Sequence, residues 1–141
     1  MPLQLQLMPP MFAWVWALLY VIIDLTYVVL SYSTYKKYAK LISDKSFSIN
    51  TRLFIIALLS YATLFFGWLF IVLPLTNYYG SYIPNKFLAG FATGSLYGFV
   101  VYGTYNFATA AMFDDWKNEI LIRDIAWGTL SIGIITGLLS L

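Results

Sequence analysis

Four apolar runs, each long enough to cross a bilayer, limit this chain to very few folds. They lie at residues 11–32, 53–75, 87–110 and 120–141. A helix needs about 20 residues to span the hydrocarbon core. Inside lipid, only helices and closed barrels satisfy every backbone polar group. Composition agrees, with 61% of residues hydrophobic and 10% charged, against about 25% charged in soluble domains. A chain this short cannot hide so much apolar surface from water, so lipid is the solvent expected for its outer face. The reading is all-α: one domain over residues 1–141, an integral, multi-pass bundle of four transmembrane helices. Its first partner is the lipid bilayer.

Proline placement supports these limits. Pro2, Pro9, Pro10, Pro74 and Pro84 are all expected at helix ends or in connections, because an interior proline removes a hydrogen bond and clashes with the preceding turn. Residues 1–10 hold no Lys or Arg, and the apolar run behind them is long. The first helix is therefore expected to stay uncleaved.

Basic residues set the orientation. The first connection carries Lys36, Lys37, Lys40, Lys45 and Arg52, and the third has Lys117 with Arg123 just beyond it. The second has only Lys86. Cytoplasmic loops collect Lys and Arg, which places connections one and three in the cytosol and both termini on the non-cytosolic side. Trp14, Trp16, Trp68, Tyr78, Tyr79 and Tyr82 then fall toward the outer boundary, with Tyr32, Tyr35, Tyr38 and Trp116 toward the inner. Lys36, Lys37 and Lys40 are also candidates for contact with anionic lipid headgroups, since juxtamembrane cations attract them. The same charges would equally serve orientation alone.

Several chemistries are excluded or disfavoured. The chain has no cysteine and no histidine, which removes disulfides, thiol nucleophiles, thiolate metal sites and histidine acid–base work. No metal and no cofactor is expected. A net charge of +2 is too small to suggest nucleic acid. The Tyr-Asp and Gly-x-Gly-Asp motifs of intramembrane aspartyl proteases are absent, and no enzyme is expected.

Small residues mark helix contacts. Gly90, Gly94 and Gly98 form a ridge on the third helix, and Gly128, Gly133 and Gly137 lie on the fourth. Glycine at every fourth position lets another backbone approach closely where lipid supplies no hydrophobic drive. The ridge suits either a neighbouring helix of the same chain, the simpler reading, or a second copy in a homo-oligomer.

Asp24 is the leading candidate for a functional residue. It sits inside the first helix between Ile23 and Leu25, where a charged carboxylate costs roughly 2.5–3.5 kcal/mol on insertion scales. It must face the bundle interior or a water-filled cavity, or carry a proton. Trp16, Tyr20, Asp24, Tyr27 and Ser31 share one helical stripe, so the hydroxyls of Tyr20 and Tyr27 are the expected donors. Counting along antiparallel helices puts Asp24, Asn106, Asp124, Ser60 and Tyr61 at a similar depth, roughly 6–12 Å from the cytosolic boundary at 1.5 Å per residue. Tyr102, Asn106 and Thr109 share a face of the third helix; Asp124, Trp127, Gly128 and Ser131 share one of the fourth. A polar cluster in the inner half of the bundle would satisfy them all. Each also has a plain structural reading: Asp124 solvated or paired with Arg123, Asn106 an interhelical hydrogen bond, Asp24 a satisfied carboxyl.

The run from Gly98 to Asn106, the segment from Asp124 to Thr129, Asp24, and Val72-Leu73-Pro74 together resemble a family of predicted membrane proteins, domain of unknown function 2177. The resemblance covers nearly the whole chain in the same order and implies four helices but no established activity. Two departures stand out. The family usually has an aspartate where Asn106 stands, and a tryptophan is common in place of Tyr27. An amide cannot exchange protons near neutral pH, so any proton chemistry at the family aspartate does not carry over.

Two functions fit these observations. One is binding or transport of a small ligand, ion or proton at the inner-half polar site, where four helices without a visible internal repeat are few for alternating access. The other is a structural or assembly role in a cellular or viral membrane. The orientation is directly testable: reporters fused before Met1 and after Leu141 should read the non-cytosolic side, and one near Asp44 the cytosol. A cytosolic reading at Leu141 would refute the span count or the charge reading.

Overall fold

The computed structural model of the protein describes residues 11–42 and 51–141. The expectations for residues 1–10 and for Lys45 fall outside them, as do the side chains of Trp16, Tyr38 and Lys40. The described chain runs as α1 (Met11–Ile42), α2 (Thr51–Gly67), a π-helical turn (Trp68–Val72), α3 (Leu73–Gly80), α4 (Lys86–Met112) and α5 (Asn118–Leu139). Four of its helical stretches are long and apolar enough to cross a membrane, the second made of α2, the π turn and α3 together.

Two helix limits differ from the sequence reading. The first helix continues ten residues past the expected end at Tyr32, to Ile42. Its 32 residues make a rod of about 48 Å at 1.5 Å per residue, longer than the roughly 30 Å hydrocarbon core. Lys36, Lys37 and Lys40 therefore lie on the last turns of α1, where cations complement the helix dipole, and not in a loop. The second span does not stop at Leu75. It runs through Pro74 to Gly80, so this proline lies within the helical run. A π turn comes directly before it, with the Leu73 N–H reaching back to the Trp68 carbonyl. That wider turn accommodates a residue that can neither donate nor tolerate a regular turn ahead of it.

Connections between the later spans are short, and the one before α4 is capped. Asn85 follows Pro84 in extended conformation, and its side chain accepts from the Leu88 N–H at 3.1 Å, satisfying one of the free donors at the start of α4. Glu119 stands in the first turn of α5, where the helix dipole favours an anion.

Packing is uneven around the bundle. α4 and α5 form a close antiparallel pair, α3 lies against α4, and α1 lies against α5. α1 and α2 make no comparable backbone approach to each other. The glycine ridge of α4 faces α5 of the same chain. A Cβ at Gly90 would stand 2.6 Å from the Thr136 carbonyl oxygen, one at Gly94 2.7 Å from that of Ile132, and one at Gly98 2.8 Å from the Gly128 carbonyl carbon. The ridge is thus filled from within the chain, and it is not the surface that a second copy would use. Outward, α2 exposes Phe54, Ile55, Ile56, Leu58 and Leu59, a continuous apolar surface that suits lipid and would be a liability in water.

Filling the ridge separates two backbones, and overpacking typically costs about 1–3 kcal/mol. Gly94→Leu and Gly98→Leu should each lower stability in detergent by an amount in that range, read as a lower thermal midpoint. Gly80 has nothing within 4 Å, so Gly80→Leu should stay within about 0.5 kcal/mol of the parent. Equal tolerance at Gly94 and Gly80 would contradict the close α4–α5 contact.

Candidate functional site

Asp24 is the point at which all four spans meet. It is 6% exposed and lies on the buried stripe of α1 with Tyr20 and Ser31, whereas Ile22, Leu25 and Val29 face outward. Its Oδ1 accepts from Trp127 Nε1 at 2.8 Å and from the Tyr102 hydroxyl at 3.1 Å. Its Oδ2 accepts from the Tyr61 hydroxyl at 2.7 Å. The donors come from α5, α4 and α2, one from each of the other spans. Asp24 thus accepts three hydrogen bonds, two on Oδ1 and one on Oδ2.

Local sequence places each donor. The Tyr102 ring lies over Gly128, where a Cβ would come within 2.6 Å of its Cε2. Only a residue without a side chain lets the ring cross α5 and aim its hydroxyl at α1. Tyr61 turns inward, whereas Ser60 beside it is exposed and bonds its own helix at the Ile56 carbonyl. Ser60 therefore lies outside the cluster, contrary to the depth count, because its helix faces lipid on that side.

A second polar layer lies farther along α1. Asp124, 5% exposed, accepts from the Tyr27 hydroxyl at 2.8 Å and from that of Tyr35. Arg123 lies over the same two rings, 5.8 Å from the Tyr27 centroid and 6.0 Å from that of Tyr35. The Tyr27 ring stacks on Trp127 at 4.4 Å and 7°, which links the two layers through an aromatic pair. Asn106 is fully buried, donating to the Tyr102 carbonyl at 3.0 Å and accepting from Trp116 Nε1 at 3.3 Å.

The pairings expected of the two stripe tyrosines differ from those observed. Tyr27 serves Asp124, one helical turn beyond Asp24. Tyr20 reaches Asp24 only through Tyr102, to which it is bonded at 2.8 Å. Helical periodicity places a side chain on a face but does not say which neighbour fills the space opposite it. Trp127, Tyr61 and Tyr35 were legible on the right faces or at the right depth, yet their roles as donors depend on helix pairing. Trp68, read as a boundary residue, is buried and donates to Thr136 Oγ1 at 2.9 Å. Among the described residues, no three His, Cys, Asp or Glu side chains converge on a point that would hold a metal.

Space for a ligand lies on the other side of Asp24 from Asp124. A cleft of about 330 Å³ opens between α1 and α2, with α4 and α5 behind it. Tyr20 and Tyr61 form its floor toward Asp24, and the exposed Leu18 and Leu58 stand at its lips. Tyr97, also in the wall, donates to the Leu64 carbonyl at 2.9 Å, one turn ahead of the π segment. Neither Asp124 nor Asn106 lines this cleft.

A family model described as a predicted membrane protein (DUF2177) matches residues 10–140. The chain belongs to this family. No curated protein and no solved structure matches it. Three of the segments that carried the resemblance converge in space: Tyr102 and Trp127 both donate to Asp24, and Gly128 seats the Tyr102 ring. At Asn106, an aspartate would keep an acceptor for Trp116 but lose the donor to the Tyr102 carbonyl.

Tyr102→Phe removes the hydroxyl that joins Tyr20 to Asp24. Loss of a buried hydrogen-bonding partner costs about 1–3 kcal/mol, so a fall of that size in detergent stability is expected. Tyr82, 69% exposed, serves as the control, and Tyr82→Phe should be neutral within about 0.5 kcal/mol. A Tyr102→Phe protein as stable as the parent would remove the hydroxyl network as a stabilising feature.

Proposed function

We propose that this multi-pass membrane protein binds a small ligand with an apolar body in the cleft between α1 and α2. The ligand's polar group is held at the Tyr20–Tyr61 floor beside Asp24. The supporting observation is one of adjacency: Tyr61 lines the cleft and donates directly to Asp24. A cleft of about 330 Å³ lies within the range of small-molecule sites, about 300–1,000 Å³, and such sites pair apolar walls with a few convergent polar groups. Its exposed lips give a ligand dissolved in lipid a direct route in. The basic end of the bundle, with Lys36, Lys37 and Lys117, faces the cytosol in this reading, and both termini face away from it.

A second reading is structural. It rests on the three donors at Asp24, one from each other span, which would serve a carboxylate kept to fix helix register. The two readings separate experimentally. Asp24→Leu removes the insertion cost of the carboxylate and leaves three donors unpaired, so insertion should match the wild type while stability falls by about 2 kcal/mol, at about 0.6 kcal/mol per interhelical hydrogen bond. Ala62→Trp plugs the cleft from its exposed edge without touching a donor to Asp24. Binding of the neutral fluorophore N-phenyl-1-naphthylamine should fall at least tenfold in Ala62→Trp, with thermal stability unchanged. Unaltered binding in that variant would reject the cleft as a ligand site and leave the structural reading.

A further inference from the structure

We infer that the ligand class suited to this cleft is a lipophilic organic cation, with an ammonium or phosphonium centre on an apolar body. The inference rests on the ligand-binding reading above and adds the sign of charge. Three features of the site agree on it.

The first is electrostatic. No residue lining the cleft carries a charge. The charged group joined to the wall by a hydrogen bond is Asp24, through Tyr61 at 2.7 Å. Its bonded partners Tyr61, Tyr102 and Trp127 are neutral donors, so they disperse the negative charge without cancelling it. Arg123 lies over Tyr27 and Tyr35 in the other layer, beside Asp124. Tyr20 and Tyr61 thus stand between the cleft and a carboxylate to which, among the described residues, no cation is bonded, in apolar surroundings where Coulomb interactions are much stronger than in water.

The second is the wall itself. Trp14, Tyr20, Tyr61, Phe65, Trp68 and Tyr97 all line the cleft, with the Trp14 and Phe65 centroids 4.9 Å apart and those of Phe65 and Trp68 5.9 Å apart. Aromatic faces carry negative potential and attract organic cations, most strongly when the cation is desolvated. An anion would meet repulsion from both the ring faces and Asp24.

The third is the entry. A strongly hydrated inorganic ion would lose its water among apolar walls at high cost. An organic cation brings its own apolar substituents, and these fill the cleft and pass the lips at Leu18 and Leu58. Size, charge and route thus select the same class.

The test uses the full chain in a non-ionic detergent and two size-matched ions of opposite charge, tetraphenylphosphonium and tetraphenylborate, in equilibrium dialysis against protein-free micelles. Wild type should bind the phosphonium at least tenfold more tightly than the borate. Asp24→Asn should abolish that preference, and Ala62→Trp should weaken phosphonium binding at least tenfold. Equal affinity for the two ions in wild type overturns the inference, and this comparison stands even if Asp24→Asn does not fold. If Ala62→Trp then weakens both ions alike, the cleft remains a ligand site without charge preference, such as one for a lipid chain, and only the cation assignment falls. If Ala62→Trp changes neither, the cleft reading falls as well.

Discussion

A carboxylate in the middle of an apolar bundle must be met by donors, and in this protein the helices are arranged so that each of the others supplies one. Asp24 takes Trp127 from α5, Tyr102 from α4 and Tyr61 from α2. Lipid offers no competing donor, so leaving any of these groups unpaired carries a desolvation penalty. The hydrophobic effect does not draw helices together within a bilayer. Polar contacts and close packing of small residues do so instead, and the two devices are divided among the spans. α4 and α5 associate through glycine, whereas α1 is tied in through side-chain oxygens.

The two devices depend on each other. Gly98 and Gly128 bring the backbones of α4 and α5 together, and that approach lays the Tyr102 ring across α5. From there its hydroxyl reaches Asp24. Trp127, beside Gly128 on α5, both donates to Asp24 and stacks on Tyr27, which in turn serves Asp124. The segment from Asp124 to Gly128 is therefore a packing element and a polar element at once. A side chain at position 128 would disturb both.

The cleft follows from the same division. Because α1 is held by a few long polar side chains, it need not pack its backbone against α2, and a space remains between them. Aromatic side chains line that space, and Tyr20 and Tyr61 stand between it and Asp24. The π turn ahead of Pro74 belongs to this region too, since Trp68 at its start lines the cleft and bonds Thr136.

Hydropathy and length determined the four spans, because a bilayer leaves a chain few alternatives. The stripe on α1 was legible from periodicity, and so was the glycine ridge as a contact surface. The fates of Ser60 and Tyr61 show where that legibility ended: of two adjacent residues at one depth, one is exposed and the other turns inward, and depth alone cannot separate them. Tyr20 and Tyr27 flank Asp24 on one stripe, yet neither bonds it, because the donors come from helices whose approach is set by Gly98 and Gly128. The continuation of the second span through Pro74 was hidden as well, since proline ordinarily marks an end and only the wider turn before it lets the helix go on. The sequence by itself determined the membrane-spanning architecture and the presence of a buried carboxylate, because both follow from the cost of polar groups in lipid. Which side chains answer that carboxylate, and the cleft left beside it, were decided only in three dimensions, because they depend on which helices touch and which stay apart.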